Sequence, residues 1–208
     1  SGKDFQADAL VKKLQEKNIQ VFKTFEPTGN HIGHHIRRIL KGEEPFPGDH
    51  GMALLFTKDR RLHTQWIREQ LDQDIHIICV RYILSTLSYN CRIIQDMENI
   101  IKLHEPFYLV PDLTFYCDID VATALKRKNK LLEADFSKLE LYENIEALKR
   151  VKKNYDMIFG KCIAPPFRSL FAQKGTHLFS DEEVWVHAPV IHLDCTLPQE
   201  QIEQKVFT

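Results

Sequence analysis

The sequence lacks the features of several protein classes. Its five cysteines are odd in number and never have a Cys-x-x-Cys spacing, so they predict reduced thiols and exclude a zinc site or a disulfide framework. No apolar run reaches the roughly 18 residues that a membrane span needs. The formal net charge of −1 offers no basic surface for nucleic acid or anionic lipid. We therefore expect a cytoplasmic protein that binds neither membranes nor nucleic acids.

The chain has the composition of a globular protein. Hydrophobic residues make up 43% and charged residues 27% of its 208 residues, which predicts one domain, 1–208, with a sizeable core. Helical spacing of apolar residues alternates with short β-type runs. Helices are predicted over residues 5–18, 32–40 and 51–71, and strands over residues 19–23, 75–80, 113–117 and 190–193. This order predicts an α/β fold with a central parallel sheet, helices on both faces, and ligands at the carboxyl ends of the strands.

The first four residues, Ser1-Gly2-Lys3-Asp4, match the end of a phosphate-binding loop. A complete P-loop, G-x-x-x-x-G-K-[S/T], lies between a buried strand and a helix, and its backbone N–H groups and lysine hold phosphates. Here Gly2 and Lys3 precede the first predicted helix, and Asp4 takes the Ser/Thr position. We expect the first strand and the front half of the loop to lie upstream of Ser1 in the parent protein. A tag remnant before an amphipathic helix is the alternative explanation.

Four further stretches join this one in a pattern that resembles the thymidylate kinases. They are F-E-P-T-G-N-H-I-G at 25–33, L-L-F-T-K-D-R at 54–60, V-R-Y-I-L-S-T-L-S-Y-N at 80–90, and P-D-L-T-F-Y-C-D-I-D at 111–120. Each is modest alone, but all five occur in the family's order, over about residues 1–157. The resemblance implies a P-loop nucleoside-monophosphate kinase that transfers the ATP γ-phosphoryl group to dTMP, uses Mg²⁺, and forms a homodimer.

The resemblance also assigns roles to individual residues. The implied catalytic residues are Lys3, Arg81 and Arg127. The implied ATP site consists of Ser1, Gly2, Lys3, Asp4 and Arg127. The implied dTMP site consists of Phe25, Phe56, Arg60, Arg81, Ser85, Thr86, Tyr89 and Asn90. In this assignment Phe56 stacks on thymine, Arg60 hydrogen-bonds the edge of the base, and Arg81 clamps the dTMP phosphate with its guanidinium fork.

The segment 126–140 is polar, begins with a basic run and has no clear periodicity. It predicts a mobile surface segment, and the resemblance implies that it is a short lid over ATP, contacted through Arg127. The second lid arginine of the family is absent, and Lys128 or Lys130 could replace it. The helices expected around 51–71 and 81–103 are candidates for the dimer interface.

Two departures from the family pattern concern magnesium. Asp4 stands where the family has Ser or Thr, and Val80 stands where it has Asp. Because Mg²⁺ prefers hard oxygen ligands, Asp4 is the expected metal ligand. Two alternatives stay open at this point: a catalytically weakened nucleotide-binding homologue, and a deoxynucleoside kinase. The stretch 160–189 has no assigned role.

Overall fold

The structure, a computed structural model, describes residues 2–132, 144–161, 164–176 and 183–207. Helices and short strands alternate along these residues, which confirms the predicted α/β class. The strands are β1 (Val21–Phe25), β2 (His76–Val80), β3 (Thr114–Asp118), β4 (Ala172–Thr176), β5 (Glu183–His187) and β6 (Val190–Asp194). The helices are α1 (Lys3–Glu16), α2 (His31–Leu40), α3 (Gly48–Leu71), α4 (Ile83–Asn90), α5 (Ile94–His104), α6 (Val121–Leu132), α7 (Ile145–Gly160), α8 (Arg168–Phe171) and α9 (Gln199–Phe207).

The predicted parallel strands form two pairs. Strand β1 pairs with β2 so that Phe25 lies opposite Val80, and β3 pairs with β6 so that Asp118 lies opposite Asp194. Among the described residues, the two pairs are not hydrogen-bonded to each other. Each pair therefore brings two carboxyl ends together, and ligand-binding residues of α/β proteins collect at such ends.

The main core lies between α3, α4, α5 and α7. Helix α4 packs against α7 and α3, and the buried side chains that fill this space include Ile83, Leu87, Met97, Ile100 and Ile158. Each fully buried aliphatic side chain contributes about 1.5–3 kcal/mol relative to exposure. This packing fixes α4, and with it the segment that joins β2 to α4.

Two predicted segments differ in the structure. Residues 126–132, for which no helix was predicted, are the C-terminal part of α6, and the Asp120 carboxylate caps the start of that helix by accepting the Thr123 N–H at 2.8 Å. The rest of the predicted lid, 133–140, lies outside the described residues. The expected helix over 81–103 is two helices, since the Asp96 carboxylate accepts the backbone N–H groups of Arg92 and Ile93 and starts α5 anew.

The stretch 160–189, to which the sequence assigned no role, contains α8 and an antiparallel pair of strands, β4 and β5. Ala172 lies opposite His187 in β4 and β5. Strand β1 also begins two residues later than predicted, at Val21. These differences leave the candidate site residues on β1, on the segment after β2, and at or on helices α1, α3, α4 and α6.

Candidate active site

The turn after β1 is held rigidly against α2 and α3. Asp59 is fully buried and accepts the Thr28 N–H at 2.8 Å and the Thr28 hydroxyl at 2.6 Å. Arg37 donates to the Thr28 carbonyl at 2.6 Å and also to the Pro27 carbonyl. A Cβ atom at Gly33 would lie 2.0 Å from the Thr28 carbonyl oxygen. Glycine is therefore required at position 33, where the first turn of α2 approaches the β1 turn closely.

A buried ionic network links this turn to α3, α4 and α5. Glu26 accepts from Arg60 Nε at 2.9 Å and lies 3.0 Å from His63 Nδ1. Arg60 also donates to the Thr86 hydroxyl at 3.0 Å, and its Nη1 lies 2.8 Å from His104 Nε2. The Arg60 residue is only 1% exposed. Since a buried charge needs a partner and satisfied hydrogen bonds, Glu26 and its neighbours are what allow an arginine here.

The histidine of α5 is neutral in this network. Burial lowers the pKa of His104 to about 3, and the positive charge of Arg60 acts in the same direction. His104 Nδ1 lies 2.7 Å from the Ile100 carbonyl oxygen, which can only accept. The proton is therefore on Nδ1, and Nε2 is free to accept an N–H of Arg60.

Arg81, the first residue after β2, has a left-handed backbone with φ of 65°. A non-glycine residue in this region costs about 1–3 kcal/mol and is found preferentially at functional sites. The Cys79 thiol donates to the Arg81 carbonyl at 3.0 Å and supports this conformation. The Arg81 guanidinium carbon lies 5.3 Å from the centre of the Tyr89 ring. The structure thus brings together two of the predicted dTMP residues at the carboxyl end of β2.

The residues that resemble a P-loop exit lie beside this arginine. Lys3 Nζ is 2.6 Å from Asp4 Oδ2, and Lys23 Nζ is 3.5 Å from the Asp4 carbonyl oxygen. Partial burial raises the pKa of Asp4, but Lys3, Lys23 and Arg81 outweigh that effect, so the pKa lies below the ordinary value. Gly2 is left-handed with φ of 79°, as the start of this helix requires. Lys3, Lys23 and Arg81 therefore all act electrostatically on the Asp4 carboxylate.

Arg127 lies at the carboxyl end of β6. Its guanidinium donates to the carbonyls of Cys195 and Thr196, the latter at 3.2 Å. The hydrogen bond from Cys195 lowers the pKa of the Cys117 thiol, and the positive charge of Lys3 acts in the same direction. Ser1 lies outside the described residues.

The remaining predicted dTMP residues lie on β1, α3 and α4. Phe25 is half-exposed and lies under the Arg37 guanidinium at 5.4 Å. Phe56 and Tyr89 both pack against the apolar cluster of α2 and α3. Ser85 is 3.0 Å from the Tyr155 hydroxyl of α7.

Asn90 is the last residue of α4 and is buried. It is 3% exposed and lines a cavity of about 370 Å³ between the start of α3 and the start of α5. Asp49 and Arg92 lie at the same cavity and are joined by a contact of 2.6 Å. Asn90 is therefore placed at the junction of α4 and α5, beside a charged pair.

Sequence reasoning missed Glu26, His104 and Tyr155 as parts of this region. Glu26 lies within a quoted motif, so its position was a usable signal. His104 and Tyr155 are distant in sequence and belong to no motif, and only the folded packing of α5 and α7 brings them to Arg60 and Ser85.

Two negative findings apply to the described part of the chain. There, no three His, Cys, Asp or Glu side chains come together as a metal-binding group. Within the same residues, no helix combines the length and apolarity that crossing a bilayer requires.

Comparison with known proteins identifies the family. The protein-family profile described as "Thymidylate kinase" matches residues 1–163. A Methanocaldococcus jannaschii protein named "Probable thymidylate kinase" is 35% identical over 156 residues, 74% of each chain. A protein of the same name from Pyrococcus horikoshii is 32% identical over 161 residues, 74% of this chain and 76% of its own.

A candidate thymidylate kinase of Treponema pallidum is 30% identical over 197 residues, 92% of this chain and 88% of its own. Similarity to this relative extends beyond the stretch of about 1–157 in which the motifs occur. The order of the motifs, the α/β architecture and these similarities agree, and the chain belongs to the thymidylate kinase family.

Proposed function

We propose that this chain transfers the γ-phosphoryl group of ATP to dTMP, giving ADP and dTDP. The observation that carries this proposal is Arg81, held in a left-handed conformation at the end of β2, with the Tyr89 ring against its guanidinium and the Asp4 carboxylate within its electrostatic reach. A guanidinium beside an aromatic ring suits a nucleotide phosphate next to its base.

Phosphoryl transfer requires little covalent chemistry from the protein. A phosphate oxygen of dTMP attacks the γ-phosphorus, and the bond from that phosphorus to the bridging oxygen breaks as ADP leaves. Lys3 balances negative charge on the transferring group, and Arg81 holds the attacking phosphate in line. Arg127 contacts ATP.

The nucleoside of dTMP is proposed to lie along α3 and α4. Phe56 stacks on thymine and Phe25 forms a further wall, because flat aromatic faces bind a base with little loss of side-chain entropy. Arg60 hydrogen-bonds the edge of the base. Tyr89 packs beside the deoxyribose and disfavours a 2′-hydroxyl group.

Ser85, Thr86 and Asn90 complete the proposed pocket. Ser85 and Thr86 lie near the base, and the hydrogen bonds of Ser85 to Tyr155 and of Thr86 to Arg60 fix their hydroxyls. These two contacts connect the pocket to α7 and α3, so the base would meet a preorganised wall.

Asp4 is the proposed protein ligand for Mg²⁺. The described residues offer no cluster of metal ligands, but Mg²⁺ in kinases is held by one or two carboxylates together with substrate phosphates. The Asp4 side chain is 61% exposed and its pKa is lowered, so an ionised carboxylate is accessible there. When bound, the metal neutralises phosphate charge. Val80 is buried and apolar and offers no ligand.

We also propose a homodimer in the cytoplasm. The outer side of α3 and its neighbour β1 carry the exposed hydrophobic residues Phe22, Leu62, Trp66 and Leu71, with Phe22 and Trp66 stacked at 6.3 Å between ring centres. Exposed apolar patches of this kind are typical of interfaces. The free thiols of the described residues, Cys79, Cys91, Cys117 and Cys195, suit a reducing compartment.

An ADP-release assay tests the proposed activity. We expect turnover with ATP and dTMP, less with dUMP, and none with thymidine. Arg81→Ala should lower kcat/KM for dTMP by about 100-fold or more, whereas Arg38→Ala, which alters an exposed arginine of α2, should leave it unchanged. Phosphorylation of thymidine alone would identify a deoxynucleoside kinase. Binding of dTMP without turnover would identify a non-catalytic homologue.

A further inference from the structure

Arg60 is held at almost every N–H group it has. Its Nε and one N–H of Nη2 donate to Glu26, and the other N–H of Nη2 donates to the Thr86 hydroxyl. Nη1 donates one N–H to His104 Nε2 at 2.8 Å. A guanidinium has five N–H groups, so one remains. Among the described residues, the second N–H of Nη1 has no protein partner.

The contact with His104 decides where that last N–H points. The guanidinium is planar, and its two Nη1 hydrogens lie in fixed directions in this plane. His104 can accept only because the Ile100 carbonyl, 2.7 Å from Nδ1, keeps the proton on the other ring nitrogen. The ring is also fully buried and packs beside Phe107 at 5.1 Å between ring centres. Its position and tautomer are therefore both fixed.

The charge of Arg60 is balanced elsewhere in the network. Glu26 supplies the negative charge, and its second oxygen lies 3.0 Å from His63 Nδ1. His63 Nε2 in turn lies 2.8 Å from the Thr24 hydroxyl. His104 thus supplies no negative charge to Arg60. Its contribution is to fix the orientation of the Arg60 guanidinium.

We propose that His104 is a positioning residue that sets the base selectivity of the enzyme through Arg60. By accepting one N–H of Nη1, it holds the other as a donor for an oxygen on the edge of the base. This inference rests on the proposed function, in which Arg60 contacts that edge. A 4-oxo pyrimidine accepts the N–H, whereas a 4-amino pyrimidine presents a donor to it and is rejected. A buried donor left unpaired is a strong source of such discrimination.

Two variants distinguish the effect of His104 on the orientation of Arg60 from the effect of its ring on packing. In His104→Gln the side-chain amide keeps a donor for the Ile100 carbonyl and an acceptor for Arg60. In His104→Phe the ring is kept and both hydrogen bonds are lost. The probes are dTMP and 5-methyl-2′-deoxycytidine monophosphate, which differ in the group at position 4 of the base. The measured quantity is the ratio of kcat/KM for the two.

We expect His104→Phe to lower this ratio by about tenfold or more, the effect of one misplaced hydrogen bond, and His104→Gln to keep it within about threefold. A packing role alone would lower both kcat/KM values together and leave the ratio unchanged, which would overturn the inference. An equal loss of the ratio in both variants would overturn it as well. If His104→Phe does not fold, His104→Asn, which is too short to reach Arg60, takes its place with the same expected result.

The proposed function is tested by the same experiment, through a different readout. Absence of dTMP phosphorylation by the unsubstituted protein would refute the proposed function, and the role of His104 with it. Normal dTMP phosphorylation with an unchanged ratio in His104→Phe would refute the role of His104 alone.

Discussion

Acidification should destabilise the fold through His104. Its pKa is about 3 in the folded protein, because burial and then the charge of Arg60 disfavour the imidazolium, against about 6.5 in an unfolded chain. Between these values the unfolded state binds a proton that the folded state does not. This contribution to the free energy of unfolding is therefore complete above about pH 6.5 and falls as the pH drops toward 3.

The size of the effect follows from linkage. Each pH unit within this window removes about 1.4 kcal/mol per group, so acidification to about pH 4.5 should remove roughly 2–3 kcal/mol. Arg60 contacts His104, Glu26 contacts Arg60, and both residues are unchanged in His104→Gln. The glutamine has no proton to gain in this range, so it lacks this part of the pH dependence.

Urea unfolding followed by circular dichroism would measure this difference. The unfolding free energies of the unsubstituted protein and His104→Gln should converge by about 2–3 kcal/mol between about pH 7 and pH 4.5. His31→Gln, at an exposed position of α2, should run parallel to the unsubstituted protein. If the His104→Gln curve also runs parallel to it, His104 is not held neutral and the reasoning about its hydrogen bonds is wrong.

Three further predictions concern Arg81, the turn after β1 and Asp4. Arg81→Lys should lower kcat/KM for dTMP by about 10–100-fold in the ADP-release assay, because an ammonium loses the bidentate fork; an unchanged value would contradict the clamp. Gly33→Ala should lower the urea unfolding free energy by about 2–4 kcal/mol, since its Cβ would overlap the Thr28 carbonyl; full stability would show that the turn yields. Asp4→Ser should raise the Mg²⁺ concentration at half-maximal rate, and an unaltered Mg²⁺ titration would remove Asp4 as a ligand.

The sequence was informative where a residue of distinctive chemistry lies in or beside a helical or β-type pattern. An apolar run ending in an arginine predicted both β2 and a residue at its carboxyl end, and Arg81 lies there. The helical spacing of apolar residues predicted a helix over residues 51–71, and the structure confirms it as α3 (Gly48–Leu71). Such local patterns predict the relative positions of side chains, because the periods of helices and strands fix which side chains are neighbours.

Other features depend on packing between distant segments and had no local signal. His104 lies 44 residues from Arg60, and nothing in its helix marks it as an acceptor. The left-handed backbone of Arg81 is equally hidden, since arginine has no preference for it. The helical residues 126–132 were not predicted because the segment lacks clear periodicity, although Lys, Arg and Leu, which make up most of it, are good helix formers.

The resting contact between Lys3 and Asp4 is compatible with both proposed roles. The Lys3 and Asp4 side chains are 32% and 61% exposed, and exposed ion pairs are worth only about 0–1 kcal/mol. Separating them therefore costs little when Lys3 turns to a phosphate and Asp4 to a metal ion. Val80, by contrast, is 5% exposed at the end of β2, where a carboxylate would need a buried partner. In the proposed metal site, an accessible acid on α1 would thus bind with a smaller desolvation cost than an acid at position 80.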